Sequence, residues 1–217
     1  MAEDKLPLIF LSASVPVPGR DSKYTETADL MAIRDAVKAL TVCIHNKAKL
    51  VWGGHPAITP IIRITLEALR VSIPDHHLLY QSREFEAEFP PDNQAFNDIV
   101  LTEKQEDREV SLRHMRMEML AGKPFSAAFF VGGMEGIEEE YELFRKLHPK
   151  TPTWPIASTG SAAKILFNGI WGRNKPGIGQ LGLNEDDIED LMWRLEFDQR
   201  YVGLINHLLT LSNITTE

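Results

Sequence analysis

The chain has 217 residues, 43% of them hydrophobic and 25% charged, a balance that buries a core and excludes a disordered or fibrous protein. Its formal net charge of −8 argues against a duplex-DNA binder, which needs a basic surface, but leaves room for a locally positive pocket around a small anion. The single cysteine, Cys43, rules out an internal disulfide and lies among apolar helical residues, as an inert buried thiol does.

In chain order, Leu8 to Leu11 form the centre of a first strand that ends in Ser12, Ala13 and Ser14. The acidic start MAEDKLPLIF enters this strand directly and is unlike a secretory signal. With no apolar run near the length of a membrane span, this favours a cytoplasmic protein without membrane contact. Pro16, Pro18 and Gly19 then make a loop. Thr25 or Thr27 caps a helix to about Asn46, with Leu30, Ile33, Val37, Leu40 and Ile44 at helical spacing. Lys49 to Trp52 is a second strand, closed by Gly53-Gly54-His55-Pro56. Thr59 and Pro60 open a further helix as cap and first residue.

His77 to Gln81 reads as a third strand and Asn97 to Leu101 as a fourth, with a polar stretch, 83–95, between them. His76 and His77 point to opposite sides of a strand and make no metal site. A helix from Gln105 to Ala121 precedes the fifth strand, whose apolar run Ala127 to Val131 suits a central strand covered on both faces. Gly132, Gly133 and Gly136 follow, then an acidic helix with Ile137, Tyr141, Phe144 and His148 on one stripe. Thr153 to Ala157 is a sixth strand, which Pro155 confines to an edge or a strand end. After it come Ser158-Thr159-Gly160-Ser161 and a short helix from about Ala162 to Phe167. Residues 169–182 are a glycine-rich loop, long enough to be mobile or functional. Asn184 or Asp187 caps the next helix, and Tyr201 to Leu211 is the last.

Strands alternating with helices predict an α/β fold, a Rossmann-like three-layer sandwich. Its mostly parallel sheet has about six strands with helices on both faces, and the chain reads as one domain over residues 1–217. In such sheets ligands bind beyond the carboxyl ends of the strands. Four small, glycine- or hydroxyl-rich turns belong there: Ser12–Ser14, Gly53–Pro56, Gly132–Gly136 and Ser158–Ser161. Neither glycine turn is a P-loop or a Gly-x-Gly-x-x-Gly fingerprint, which argues against a P-loop enzyme and a hydride-transferring dehydrogenase. The pattern points to a nucleotide-like ligand, with no cofactor and no metal.

The same residues resemble the SLOG superfamily, which includes the LOG phosphoribohydrolases, DprA-type DNA-processing proteins and nucleotide-sensing domains of bacterial defence. LOG enzymes carry a helical His-x-Arg, a strand, and Pro-Gly-Gly-x-Gly-Thr-x-x-Glu. Here His114-Met115-Arg116, the strand Ser126 to Val131, and Gly132-Gly133-Met134-Glu135-Gly136-Ile137-Glu138-Glu139-Glu140 stand in those places. FLSASVP, WGGHPAITP and VGGMEGIEEE are most similar to a SLOG subgroup found near TIR-type immunity genes. The likeness spans about residues 6 to 168, leaving the loop and helices of 169–217 outside it. The departures are Val131 for proline, the extra Glu135, and Ile137 for threonine.

The resemblance implies a homo-oligomer that binds a nucleotide-derived molecule, related to NAD or ADP-ribose, and works with a TIR or other effector protein. The alternative it implies is a phosphoribohydrolase or N-glycosidase, with Arg116 holding phosphate or ribose and Glu140 acting on the ribosyl centre. Ligand contacts are expected at Ser12, Ala13, Ser14, Gly53, Gly54, His55, Gly132, Gly133, Met134, Glu135, Gly136 and Thr159. For His55, a turn-stabilising role is an equal alternative. Glu138 and Glu139 are expected on the solvent side, where the helix dipole alone accounts for them. His114 is expected to be structural.

Overall fold

A computed structural model describes residues 6–70, 77–171, 178–179 and 181–214. Six strands, β1 (Leu8–Ser14), β2 (Lys49–Trp52), β3 (His77–Ser82), β4 (Ile99–Thr102), β5 (Phe125–Gly132) and β6 (Thr153–Ile156), form one sheet in the order β4-β3-β2-β1-β5-β6. Every neighbouring pair is parallel. From β1 the chain steps outward through β2 and β3 to β4, then returns to β5 on the other side of β1. The strand order therefore reverses between β1 and β5, which is where such sheets open a crevice.

The longer helices are α2 (Leu30–Ile44), α3 (Thr59–Ala68), α4 (Arg108–Leu120), α5 (Glu135–Leu147), α7 (Glu185–Phe197) and α8 (Tyr201–Leu211); the short α1 (Ser22–Thr25) and α6 (Ser161–Leu166) join them. Right-handed crossovers place α2 and α3 on one face and α4 and α5 on the other. Helix α2 packs on α3 and α8, and α4 packs on α5. Both faces being covered, Ala127 to Val131 in β5 are at most 1% exposed. Phe129 and Phe130 alone contribute about 1.5–3 kcal/mol each through burial. The Phe10 ring stacks on Phe144 at 5.5 Å, fixing α5 over β1.

Helix starts depart from the sequence in instructive ways. Asp29, not Thr25 or Thr27, caps α2, accepting from the Met31 and Ala32 amides, while Thr27 Oγ1 accepts from Ser161 N at 2.8 Å. Thr59 opens α3 but does not cap it; its Oγ1 accepts from Trp52 Nε1 at 3.2 Å, a tertiary demand that local pattern cannot reveal. At α7 the two candidate caps act together: Asn184 accepts from Asp187 N, and the Asp187 side chain accepts from Asn184 N. Pro155 lies in β6, an outer strand of the sheet, where its missing N–H does least harm. His76 and much of 172–180 lie outside the described residues. His77 is buried, its ring set against Trp52 and Phe96.

Candidate ligand site at the carboxyl edge

A cleft of about 710 Å³ lies over the carboxyl ends of the central strands. Its floor includes Ala13 and Ser14 ending β1, Gly53, Gly54 and His55 after β2, and Gln81 and Ser82 ending β3. Met134, Glu135 and Gly136 at the start of α5 close one side, and Met115 and Arg116 of α4 another. Ser12, which is 1% exposed, does not line it, and neither do Gly132, Gly133 and Thr159. The last three build the turn beneath: Thr159 Oγ1 accepts from Gly132 N at 2.9 Å, and Gly133 O accepts from Ala162 N at 3.2 Å. Gly133 has φ +85, and a Cβ there would sit 2.0 Å from Ile137 Cγ1 and 2.9 Å from Ser14 Oγ. Ile137, in the place of the family's threonine, thus packs beneath the turn and is 3% exposed.

At the switch point three side chains from three elements meet. Ser12 Oγ donates to Glu140 Oε2 at 2.6 Å, and Arg116 Nε donates to Glu140 Oε1 at 3.3 Å. Arg116 Nη1 also bonds Glu139. Arg116 and Glu140 are only 12% and 13% exposed in their side chains, whereas Glu139 is 57% exposed. Helix α4 descends from the carboxyl edge, so Arg116 starts well below the cleft. Helical side chains lean toward their own N-terminus, and that lean carries its guanidinium back up to Glu140 within one chain. The guanidinium fork spans both carboxylates, which is why Glu139 joins the site although the helical stripe points it toward solvent. Glu138 does not line the cleft and faces Lys23 at 3.8 Å.

The extra residue of the turn is also accounted for. Glu135 is the first residue of α5 and pairs with Arg20 from the loop after β1. Met134 is 6% exposed, and its sulfur accepts from Val17 N at 3.4 Å, tying that loop to the turn. Helix α5 has no side-chain cap. His55 lines the cleft and also closes its own turn: Nδ1 accepts from Ala57 N at 3.1 Å, and its carbonyl accepts from Ile58 and Thr59. Burial pushes its imidazole pKa down, which keeps Nδ1 an acceptor. His114 lies outside the cleft lining, against Glu118 at 3.2 Å.

Gln81, Ser82, Phe85, Phe89, Arg20 and Arg108 also line the cleft and were not legible as site residues. The carboxyl-edge rule alone would have marked Gln81 and Ser82, which end a strand; Arg20, Phe85 and Phe89 sit in polar connecting segments and Arg108 opens α4. Among the described residues no group of three His, Cys, Asp or Glu could hold a metal ion, and no helix is long and apolar enough to cross a membrane. Cys43 is 4% exposed, and burial pushes its thiol pKa up.

A parallel sheet whose order reverses at β1, with a cleft over that point, defines an α/β protein of Rossmann-like architecture. The chain belongs to the SLOG cluster3 family, whose model matches residues 23–180. An X-ray structure of TM1055, a structural genomics target, is similar in fold, with a TM-score of 0.50 at 13% identity, over 76% of this chain and 82% of that one. No curated protein matches.

Proposed function

We propose that the cleft binds a nucleotide-derived small molecule and that the chain acts as its sensor, with a signal related to NAD or ADP-ribose in bacterial defence as the ligand class. The observation that carries this is the Arg116–Glu140 pair, held by the buried Ser12 hydroxyl and lining a cleft of about 710 Å³, within the usual size of small-molecule pockets. Glu140 faces the cleft as an acceptor suited to ribose hydroxyls. Arg116 can exchange its exposed partner Glu139 for a phosphate while keeping Glu140. Membership of the SLOG family supports the nucleotide class; the defence setting, a homo-oligomer and a TIR or other effector partner rest on the subgroup likeness. Sedimentation with and without ligand tests the assembly.

The second reading is an N-glycosidase, favoured by one observation: Arg116 and Glu140 meet inside one chain. Water would add to the ribosyl C1′ as the C1′–N bond breaks, the base leaving with a proton, and Glu140 would stabilise the cationic centre or activate the water. What favours binding over turnover is that both Glu140 oxygens already hold protein donors. Thermal unfolding with mononucleotides, NAD, ADP-ribose and cyclic derivatives tests the first reading. A ligand at a hundred times its Kd adds about 2.7 kcal/mol of stability, a rise of several degrees. No rise with any of them discards it. Chromatography of the same mixtures tests the second: release of free base, abolished in Glu140→Gln, makes the chain an enzyme.

A further inference from the structure

The cleft has a second end that the charged cluster does not explain. Gln81 is 3% exposed, and its Nε2 donates to Gly54 O at 2.8 Å. Its Oε1 is buried and receives no hydrogen bond from the described residues. Turning the amide over gives no relief, because Oε1 would then face the Gly54 carbonyl, acceptor against acceptor. A buried acceptor left unmet is costly, and native structures rarely keep one without a use. Beside it the cleft is lined by half-buried Phe85 and Phe89, and the Arg108 guanidinium lies 4.6 Å from the centre of the Phe85 ring. Flat apolar rings, a flat cation and one buried acceptor match the faces and the edge of a heteroaromatic base.

We propose that the β3 end of the cleft is a base subsite: a heteroaromatic base stacks on the face of Phe85 that Arg108 leaves open, and a small turn of the Gln81 side chain lets its Oε1 accept from an amino N–H of that base. This rests on the nucleotide reading above and adds its orientation. Strands β5 and β3 are three positions apart in the sheet, so the lateral offset between them is roughly 14 Å, a span suited to an extended nucleotide. The ribose and phosphate then lie over β1 and β5, where Ser12, Arg116 and Glu140 meet.

Calorimetric titration of the wild-type protein with AMP, ADP-ribose, ribose 5-phosphate and purine riboside 5′-monophosphate, which lacks the 6-amino group, tests it. AMP should bind about tenfold or more tightly than the amino-free analogue, the scale of one hydrogen bond to a buried acceptor. Phe85→Ala should weaken AMP by about tenfold and leave ribose 5-phosphate unchanged. Gln81→Met should erase the preference for the amino group; should that variant fail to fold, the wild-type comparison still decides. AMP and its amino-free analogue binding alike, with Phe85→Ala neutral, overturns the base subsite while the nucleotide reading stands. Binding of none of the four probes overturns both.

Discussion

The two glycine turns of the cleft have the same plan, a strand, two glycines and a helix, yet they do different work. The turn after β2 closes on itself. His55 accepts the Ala57 amide on its ring and the Ile58 and Thr59 amides on its carbonyl, so the start of α3 has few free donors to offer. The turn after β5 is braced from below by Thr159 and Ile137 and leads into a helix without a side-chain cap. Its charges come from elsewhere, Arg20 on Glu135 and Arg116 on Glu139 and Glu140. The comparison teaches that a glycine turn becomes a ligand site only when its donors are left unspent and its glycines are held rigid.

The sharpest way to break this contrast is Gly133→Val. The side chain would meet Ile137 and Ser14 at a backbone φ of +85, so a loss of about 2–4 kcal/mol is expected, read as a lowered denaturation midpoint. Intact stability with lost binding would instead mean that the glycine serves close approach to the ligand. Next, Arg116→Ala leaves Glu140 without its guanidinium in a mostly buried place. It should cost about 1–3 kcal/mol and weaken phosphorylated ligands more than unphosphorylated ones, by titration. Glu140→Gln keeps the size and removes the charge. If the chain hydrolyses nucleotides, turnover should fall about a hundredfold or more with little change in binding.

Smaller effects sharpen the comparison. Glu139 is the exposed partner of Arg116, so Glu139→Gln should change stability by no more than about 1 kcal/mol and tighten a phosphorylated ligand by a few-fold. The smallest concerns His55. Burial holds its folded pKa below the ordinary imidazole value of about 6.5, so below that pH the unfolded chain binds more protons. Its contribution is therefore complete above about 6.5 and declines as pH falls toward the folded value. His55→Gln should flatten part of the loss of melting temperature between neutral pH and about pH 5. An unchanged slope would mean that the ring is protonated as easily in the fold as out of it.

The local sequence was enough for the sheet, because apolar strand runs and helical stripes report burial directly: Ala127 to Val131 must be covered on both faces wherever they lie. It also marked the carboxyl-edge turns, since glycines and small hydroxyls leave a backbone open to a ligand. What it could not decide were contacts between elements far apart in the chain. Thr27 and Asp29 compete on equal terms to cap α2 until Ser161 engages the threonine, and Thr59 looks like the cap of α3 until Trp52 takes its hydroxyl. Glu139 looks solvated until Arg116 arrives from another helix, and Gln81 looks like the end of a strand until the Gly54 carbonyl takes half of its amide. Local pattern fixes which residues are buried or turned. Only the packed chain decides which donors and acceptors find each other, because a hydrogen bond needs its partner within about 3 Å and the sequence carries no distances.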